Sequence, residues 1–257
     1  MYTIDLSGKV ALILGVANHR SIAWAIGQIL HQAGAKLAIS YQNERLKESV
    51  DELAAPLKDT LLLECDVSRD DHVPLMMKAV AERFRRLDIV VHSIAFANRE
   101  DLGGKFSETG REGFRLAMDI SAYSLIPIVR HAAPLMTDGG SILTLTFHAS
   151  ERVFPGYNIM GTAKAALENE VRQLAAELGE KNIRVNAISA GPLDTLSSRV
   201  ISGYRDMKRI HQERSPMKRN ISHEEVAKTA LYLCSDLSSG VTGAVIPVDT
   251  GYSIMGI

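Results

Sequence analysis

The chain has 257 residues, 29 of them basic and 30 acidic, so its formal net charge is −1 at pH 7. That balance excludes a dedicated nucleic-acid binder or a polybasic membrane-surface protein. With 46% hydrophobic residues, 19 glycines and 8 prolines, the composition is that of a globular chain with a full core, neither disordered nor collagen-like.

Short, β-rich apolar runs alternate with longer helical patterns along the chain. The spacing predicts strands over 10–14, 37–40, 61–64, 89–93, 142–146, 185–188 and 245–248. Helical segments fall between them at 21–30, 44–53, 73–83, around 114–129, 157–178 and 224–233. Seven such strands separated by helices predict an α/β, Rossmann-like, doubly wound parallel sheet covered on both faces. No Gly/Ser/Pro-rich linker, low-complexity tract or repeat divides the chain, so 1–257 reads as a single domain. Cys65 and Cys234 are its only cysteines, too few for a disulfide framework or a four-cysteine zinc site, and a cytoplasmic location is expected. The first residues lack the order of a signal peptide, and no apolar run approaches the ~18 residues of a bilayer span.

The first strand runs into Gly15-Val16-Ala17-Asn18-His19-Arg20-Ser21-Ile22-Ala23 and a helix follows. A strand, a small-residue turn and a helix start make an anion site through free amides and the helix dipole. The G-x-G-x-x-G pattern is absent, so the turn alone reads equally as an ordinary β-α connection. The second strand ends at Ser40-Tyr41-Gln42-Asn43, where a dinucleotide-binding fold meets the adenosine ribose. Gln42 is neither the acid that selects NAD nor the base that takes the extra phosphate. With no basic residue between Leu37 and Asn43, though Arg45 and Lys47 are near, NADH is favoured over NADPH. Asp66, after the third strand, is either an acceptor for the adenine amino group or a turn or cap residue.

Tyr157 and Lys164, after the fifth strand, are seven residues apart. At that spacing they fall within ~20° on one helical face and ~10 Å apart along its axis, so both can reach one ligand. An ammonium nearby stabilises a phenolate, which would make Tyr157 a better proton donor or oxyanion partner. Spacing alone leaves a packed Tyr and a surface Lys as the other reading.

Read in order, the motifs resemble the enoyl-acyl carrier protein reductases, the divergent branch of the short-chain dehydrogenase/reductases that reduces trans-2-enoyl thioesters in bacterial fatty acid synthesis. The resemblance rests on Gly15-Val16-Ala17 with Arg20-Ser21-Ile22-Ala23, Tyr41-Gln42, Cys65-Asp66-Val67, and His92-Ser93-Ile94-Ala95-Phe96-Ala97. It continues through Asp119-Ile120-Ser121-Ala122-Tyr123-Ser124, Tyr157-Asn158-x-Met160-Gly161-x-Ala163-Lys164, the stretch from Arg184 to Pro192, and Val248-Asp249-x-Gly251-Tyr252. The Tyr-x6-Lys spacing marks this branch, since ordinary members of the superfamily carry Tyr-x3-Lys.

The resemblance implies hydride transfer from NADH to the β-carbon of the enoyl thioester. Tyr157 would stabilise the thioester oxygen and Lys164 would bind the nicotinamide ribose. It places Gly15, Ser21 and Ile22 at the pyrophosphate, Gln42, Asp66 and Val67 at the adenosine half, Ile94 beside the cofactor and Ala97 beside the acyl group. Leu193, Asp194, Thr195, Leu196 and Ser197 join the cofactor-binding set, and a segment near 193–215 would cover the substrate.

Two positions depart from the family. Phe147 stands where relatives carry a second Tyr, followed by His148-Ala149, so reduced turnover or altered substrate choice is expected there. His148 is a replacement group or simply a packed histidine. Asp194 stands where most relatives have a base, and its charge would weaken cofactor binding or point to solvent. These changes keep two alternatives in view, an enoyl-CoA reductase for a specialised substrate and a non-catalytic NAD(H)-binding protein.

From Arg199 to Arg219 seven basic residues face two acidic ones, a net +5. The segment is either a steering surface for an acidic acyl carrier protein or a solvated helix face. The resemblance also implies a homotetramer, with the 114–129 and 157–178 helices at its interfaces. Neither a metal nor a nucleic acid is expected.

Overall fold

The structure, a computed structural model, describes residues 3–201 and 203–256, with the backbone alone for Arg199 and Val200. Its strands are β1 (Val10–Leu14), β2 (Lys36–Tyr41), β3 (Leu61–Glu64), β4 (Ile89–His92), β5 (Gly140–Thr146), β6 (Ile183–Ala190) and β7 (Val245–Val248). They form one sheet in the order β3-β2-β1-β4-β5-β6-β7, and every neighbouring pair is parallel. This is the doubly wound order, and the chain reverses direction across the sheet between β1 and β4.

Alternation along β1 shows how the sheet is covered. Val10, Leu12 and Leu14 join a core with α3 (His72–Phe84), α6 (Leu125–Ala132) and α7 (Asn158–Leu178). Ala11 and Ile13 point the other way, into a core with α1 (Ile22–Gln32), α2 (Glu44–Ala54) and α9 (His223–Cys234). Burying both faces explains why the strands read as continuous apolar runs. The register keeps the carboxyl ends together: Leu14 pairs with His92, Thr146 with Ser189 and Ala190 with Val248. Ligands of such sheets bind outside those ends. Among the described residues no helix is long and apolar enough to cross a membrane.

Three elements differ from the sequence pattern. The stretch expected around 114–129 is two helices, α5 (Arg111–Met118) and α6, joined by a π-helical turn at Asp119–Tyr123. The wider turn leaves the apolar period nearly continuous, which hides the break. Tyr157 is the residue preceding α7, not its first helical residue. The basic segment contains a helix, α8 (Tyr204–Arg214), whose one buried residue is His211. With so little apolar face it carries no readable helical period. A short helix, α4 (Arg99–Leu102), follows β4.

Candidate active site

The topological switch point lies at the carboxyl ends of β1 and β4, where a crevice for ligands forms in sheets of this order. Gly15 has φ +94°, and a Cβ there would collide with the Ser93 carbonyl oxygen, so both backbone conformation and close approach require glycine. Ser21 precedes α1, but its hydroxyl turns back to accept hydrogen bonds from the Ala17 and Asn18 N–H groups at 3.0 and 3.1 Å. It therefore shapes the turn and leaves the first-turn amides of α1, including that of Ile22, without a side-chain cap. Free amides at a helix start suit an anion.

Across the crevice, Gln42 is exposed at the end of β2. Lys47 is engaged by Asp51 at 2.7 Å, so it is not a free phosphate ligand. Asp66 accepts from the Ser68 N–H at 3.0 Å and the Ser68 hydroxyl at 2.7 Å. The turn reading of this acid holds, with its second oxygen left over. Val67 and Ile94 both pack at the margin of the α3/α6/α7 core.

Lys164 lies on α7, is 5% exposed, and donates to the Leu145 carbonyl at 2.8 Å. Burial pulls its pKa down to about 8, with Glu168 acting in the opposite sense. Glu168, one turn along α7, accepts from the Thr146 hydroxyl at 2.7 Å. Among the described residues the Leu145 carbonyl is the one acceptor for the Lys164 ammonium, which leaves two N–H donors. A buried cation with donors to spare, beside a crevice that ends at free helix amides, fits a dinucleotide with its ribose hydroxyls and pyrophosphate.

Burial alone raises the Tyr157 pKa. This corrects the expectation that Lys164 acidifies the phenol: burial governs the shift, and Tyr157 is a neutral hydrogen-bond donor through the physiological range. Its ring is held edge-on by Phe147, with centroids 5.1 Å apart, and Phe147 also packs on Phe154 at 4.7 Å. Phe147 offers packing and no hydroxyl. His148 packs edge-on against Phe154 and Tyr252, as a packed histidine would.

An apolar patch adjoins the phenol. Tyr157, Ala95, Ala97 and Ile201 pack around Leu102, Ala117, Ile159 and Met160, which brings Ala97 and Tyr157 into one cluster. Beyond β6, Leu193 is a core group, Leu196 is exposed and Ser197 is exposed. Thr195 exchanges hydrogen bonds with Ser198. Asp194 is exposed and forms an ion pair with Lys208 of α8 at 2.6 Å.

Several residues of the family motifs build the framework that places the site. Ser121, in the π turn, exchanges hydrogen bonds with Phe96 N–H and C=O, both at 2.9 Å, and so fixes the loop carrying Ile94 and Ala97. His92 lies between the Thr144 and Ser124 hydroxyls at 2.9 and 2.8 Å. Burial and the Lys164 charge pull its pKa down to about 3, so it is a neutral structural link. Arg184 donates to the carbonyls of Leu233 and Ser235 at the end of α9, and Asn186 bridges Val241 and Ala244. Their motif is structural.

The family profile described as enoyl-(acyl carrier protein) reductase matches residues 15–253. An NADH-dependent enoyl-acyl-carrier-protein reductase of Nostoc sp. is 49% identical over 257 residues, covering 99% of this chain and 100% of that protein. The Bacillus cereus counterpart is 49% identical over 253 residues, covering 98% and 99%. The crystal structure of a Bacillus cereus enoyl-acyl carrier protein reductase with NADP+ and an indole naphthyridinone superposes with a TM-score of 0.96 at 49% identity, covering 98% of this chain and 99% of that one. An Anaplasma phagocytophilum reductase in complex with NAD gives 0.95 at 45% identity, covering 100% and 98%. With a family profile over residues 15–253 and end-to-end identity in agreement, the chain belongs to the enoyl-(acyl carrier protein) reductase family.

Proposed function

We infer that this chain is an NADH-dependent oxidoreductase that reduces the trans-2 double bond of enoyl-acyl carrier protein thioesters in fatty acid biosynthesis, with Tyr157 and Lys164 as its working residues. The observation that carries the assignment of roles is the pairing of a half-buried, neutral phenol against the apolar Ala97 cluster with a buried ammonium. NADH, when bound, supplies the hydride to the β-carbon.

As hydride arrives, negative charge develops on the thioester oxygen. Tyr157 donates a hydrogen bond to that oxygen, in a setting where burial removes competing water. Lys164 holds ribose hydroxyls and so orients the cofactor, a role that needs its proton. Leu145 and the Thr146–Glu168 hydrogen bond keep that part of α7 against β5. Phe147 keeps the Tyr157 ring upright and adds no second donor, so a single phenol serves the oxygen.

Gly15, Ser21 and the Ile22 amide serve the pyrophosphate. Gln42, Asp66 and Val67 serve the adenosine, Ile94 and the 193–197 loop serve the nicotinamide half, and 193–215 covers the acyl group. We place the enzyme in the cytoplasm as a homotetramer, with acyl carrier protein as the partner delivering its substrate. Cys65 and Cys234, buried thiols with pKa values pushed up to about 12, suit a reducing compartment. Tyr157→Phe tests the assignment: loss of turnover with NADH binding retained supports it, and an active variant contradicts it.

A further inference from the structure

The face of α8 turned toward the cofactor loop carries Tyr204, Lys208 and His211, four and then three residues apart and so on one side of the helix. All three engage the stretch from Gly191 to Asp194 or its neighbours. Tyr204 donates to the Leu193 carbonyl. Lys208 pairs with Asp194 at 2.6 Å. His211, 3% exposed, lies under Gly191 and stacks on Tyr252 with centroids 4.8 Å apart. The remaining ion pairs of this helix among the described residues, Arg209 with Asp206 and with Glu213, stay within it. The Tyr204 phenol also lies within electrostatic reach of the Asp194 carboxylate.

We propose that Lys208 is a positioning residue for the cofactor: its ion pair with Asp194 cancels an acid that would otherwise add negative charge where the nicotinamide half of the cofactor is bound. The inference rests on the assignment of 193–197 to cofactor binding made above. Asp194 is 64% exposed and Lys208 27%, so the pair is partly screened and its effect on binding is a few-fold. Lys208 therefore belongs to the cofactor loop's electrostatics, not to a free basic surface.

The test is NADH binding, followed by fluorescence titration at low and high salt, together with separate KM and kcat values for both substrates. Lys208→Met is expected to weaken NADH binding roughly three- to fivefold at low salt, with kcat within about twofold of native. High salt shrinks the difference, because the uncompensated Asp194 charge is screened. Lys208→Arg retains native binding, and adding Asp194→Asn to Lys208→Met recovers most of the loss. Asp194→Asn alone, which keeps the side-chain shape, binds NADH at least as tightly as native.

Native affinity in Lys208→Met at low salt overturns the proposal, as does a double variant no better than the single one. If Lys208→Met fails to fold, weakened NADH binding by Asp194→Asn overturns it instead. A native protein that does not bind NADH overturns the cofactor assignment and this inference with it.

Discussion

Burial acts on the two working side chains in opposite directions, raising the Tyr157 pKa and lowering that of Lys164 to about 8. The phenol is thereby a donor that does not ionise, and the ammonium is a donor that can be titrated away. Since kcat/KM reports the free enzyme, kcat/KM for NADH should fall as pH rises through about 8, measured by steady-state kinetics across pH. In Lys164→Arg the limb should vanish, because a guanidinium stays charged. A flat native profile to pH 9.5 (roughly 1.5 units past the Lys164 pKa) would contradict the ribose role. Stability has the opposite sense: the folded pKa is below the 10.5 of the free side chain, so unfolding takes up a proton between about 8 and 10.5 and Lys164 favours the fold more as pH rises through that window.

At this scale the sequence was readable wherever a residue's job follows from its own type. Gly15 needs a positive φ and no Cβ, and the Tyr157/Lys164 spacing brings two polar groups to one side of a helix. The effect of their burial was not readable, because desolvation depends on what packs around them. Asp194 was ambiguous for a related reason: its partner lies fourteen residues on, in a helix without an apolar period.

Among the elements, the strands were legible because both faces of each are buried, and the long helices because one face is. The break between α5 and α6 was not, since a π turn disturbs the apolar period by a single residue. That turn is what lets Ser121 reach Phe96 and Ser124 reach His92. The same region presents Phe114 and Tyr123 as exposed aromatics beside Glu170, whose carboxyl burial raises to about 7. Large exposed apolar groups on α5 and the turn, next to α7, support the proposed homotetramer through these helices. Sedimentation velocity should show a four-chain species, and Phe114→Glu should shift it to smaller ones. A native protein sedimenting as a monomer would contradict the assembly.

Over the whole molecule the charge is near balance, so the basic stretch from Arg199 to Arg219 stands out. The structure narrows what it can offer. Lys208 is committed to Asp194, Arg209 to Asp206 and Glu213, and Arg219 to Glu225, while the Arg199 side chain lies outside the described residues. Exposed Arg205 is the cleaner probe of steering toward an acidic carrier protein, because reversing Lys208 would also break its ion pair with Asp194. Arg205→Glu should raise KM for carrier-bound substrate several-fold, about the size expected for a rim charge, and leave KM for the CoA ester unchanged. An equal rise on both substrates would refute steering.

In the proposed function Tyr157 supplies the one hydrogen bond that carries the developing charge, with Phe147 in place of a second phenol. The most direct test is oxidation of NADH, and separately NADPH, with a trans-2-enoyl thioester on acyl carrier protein and on CoA, for native protein and Tyr157→Phe. Rapid NADH oxidation on the carrier substrate is expected, with slower reaction with NADPH and a loss of roughly a hundredfold or more in kcat for the variant with NADH binding intact. No native turnover on any of these substrates despite NADH binding, or a Tyr157→Phe variant as fast as native, would contradict the proposed function.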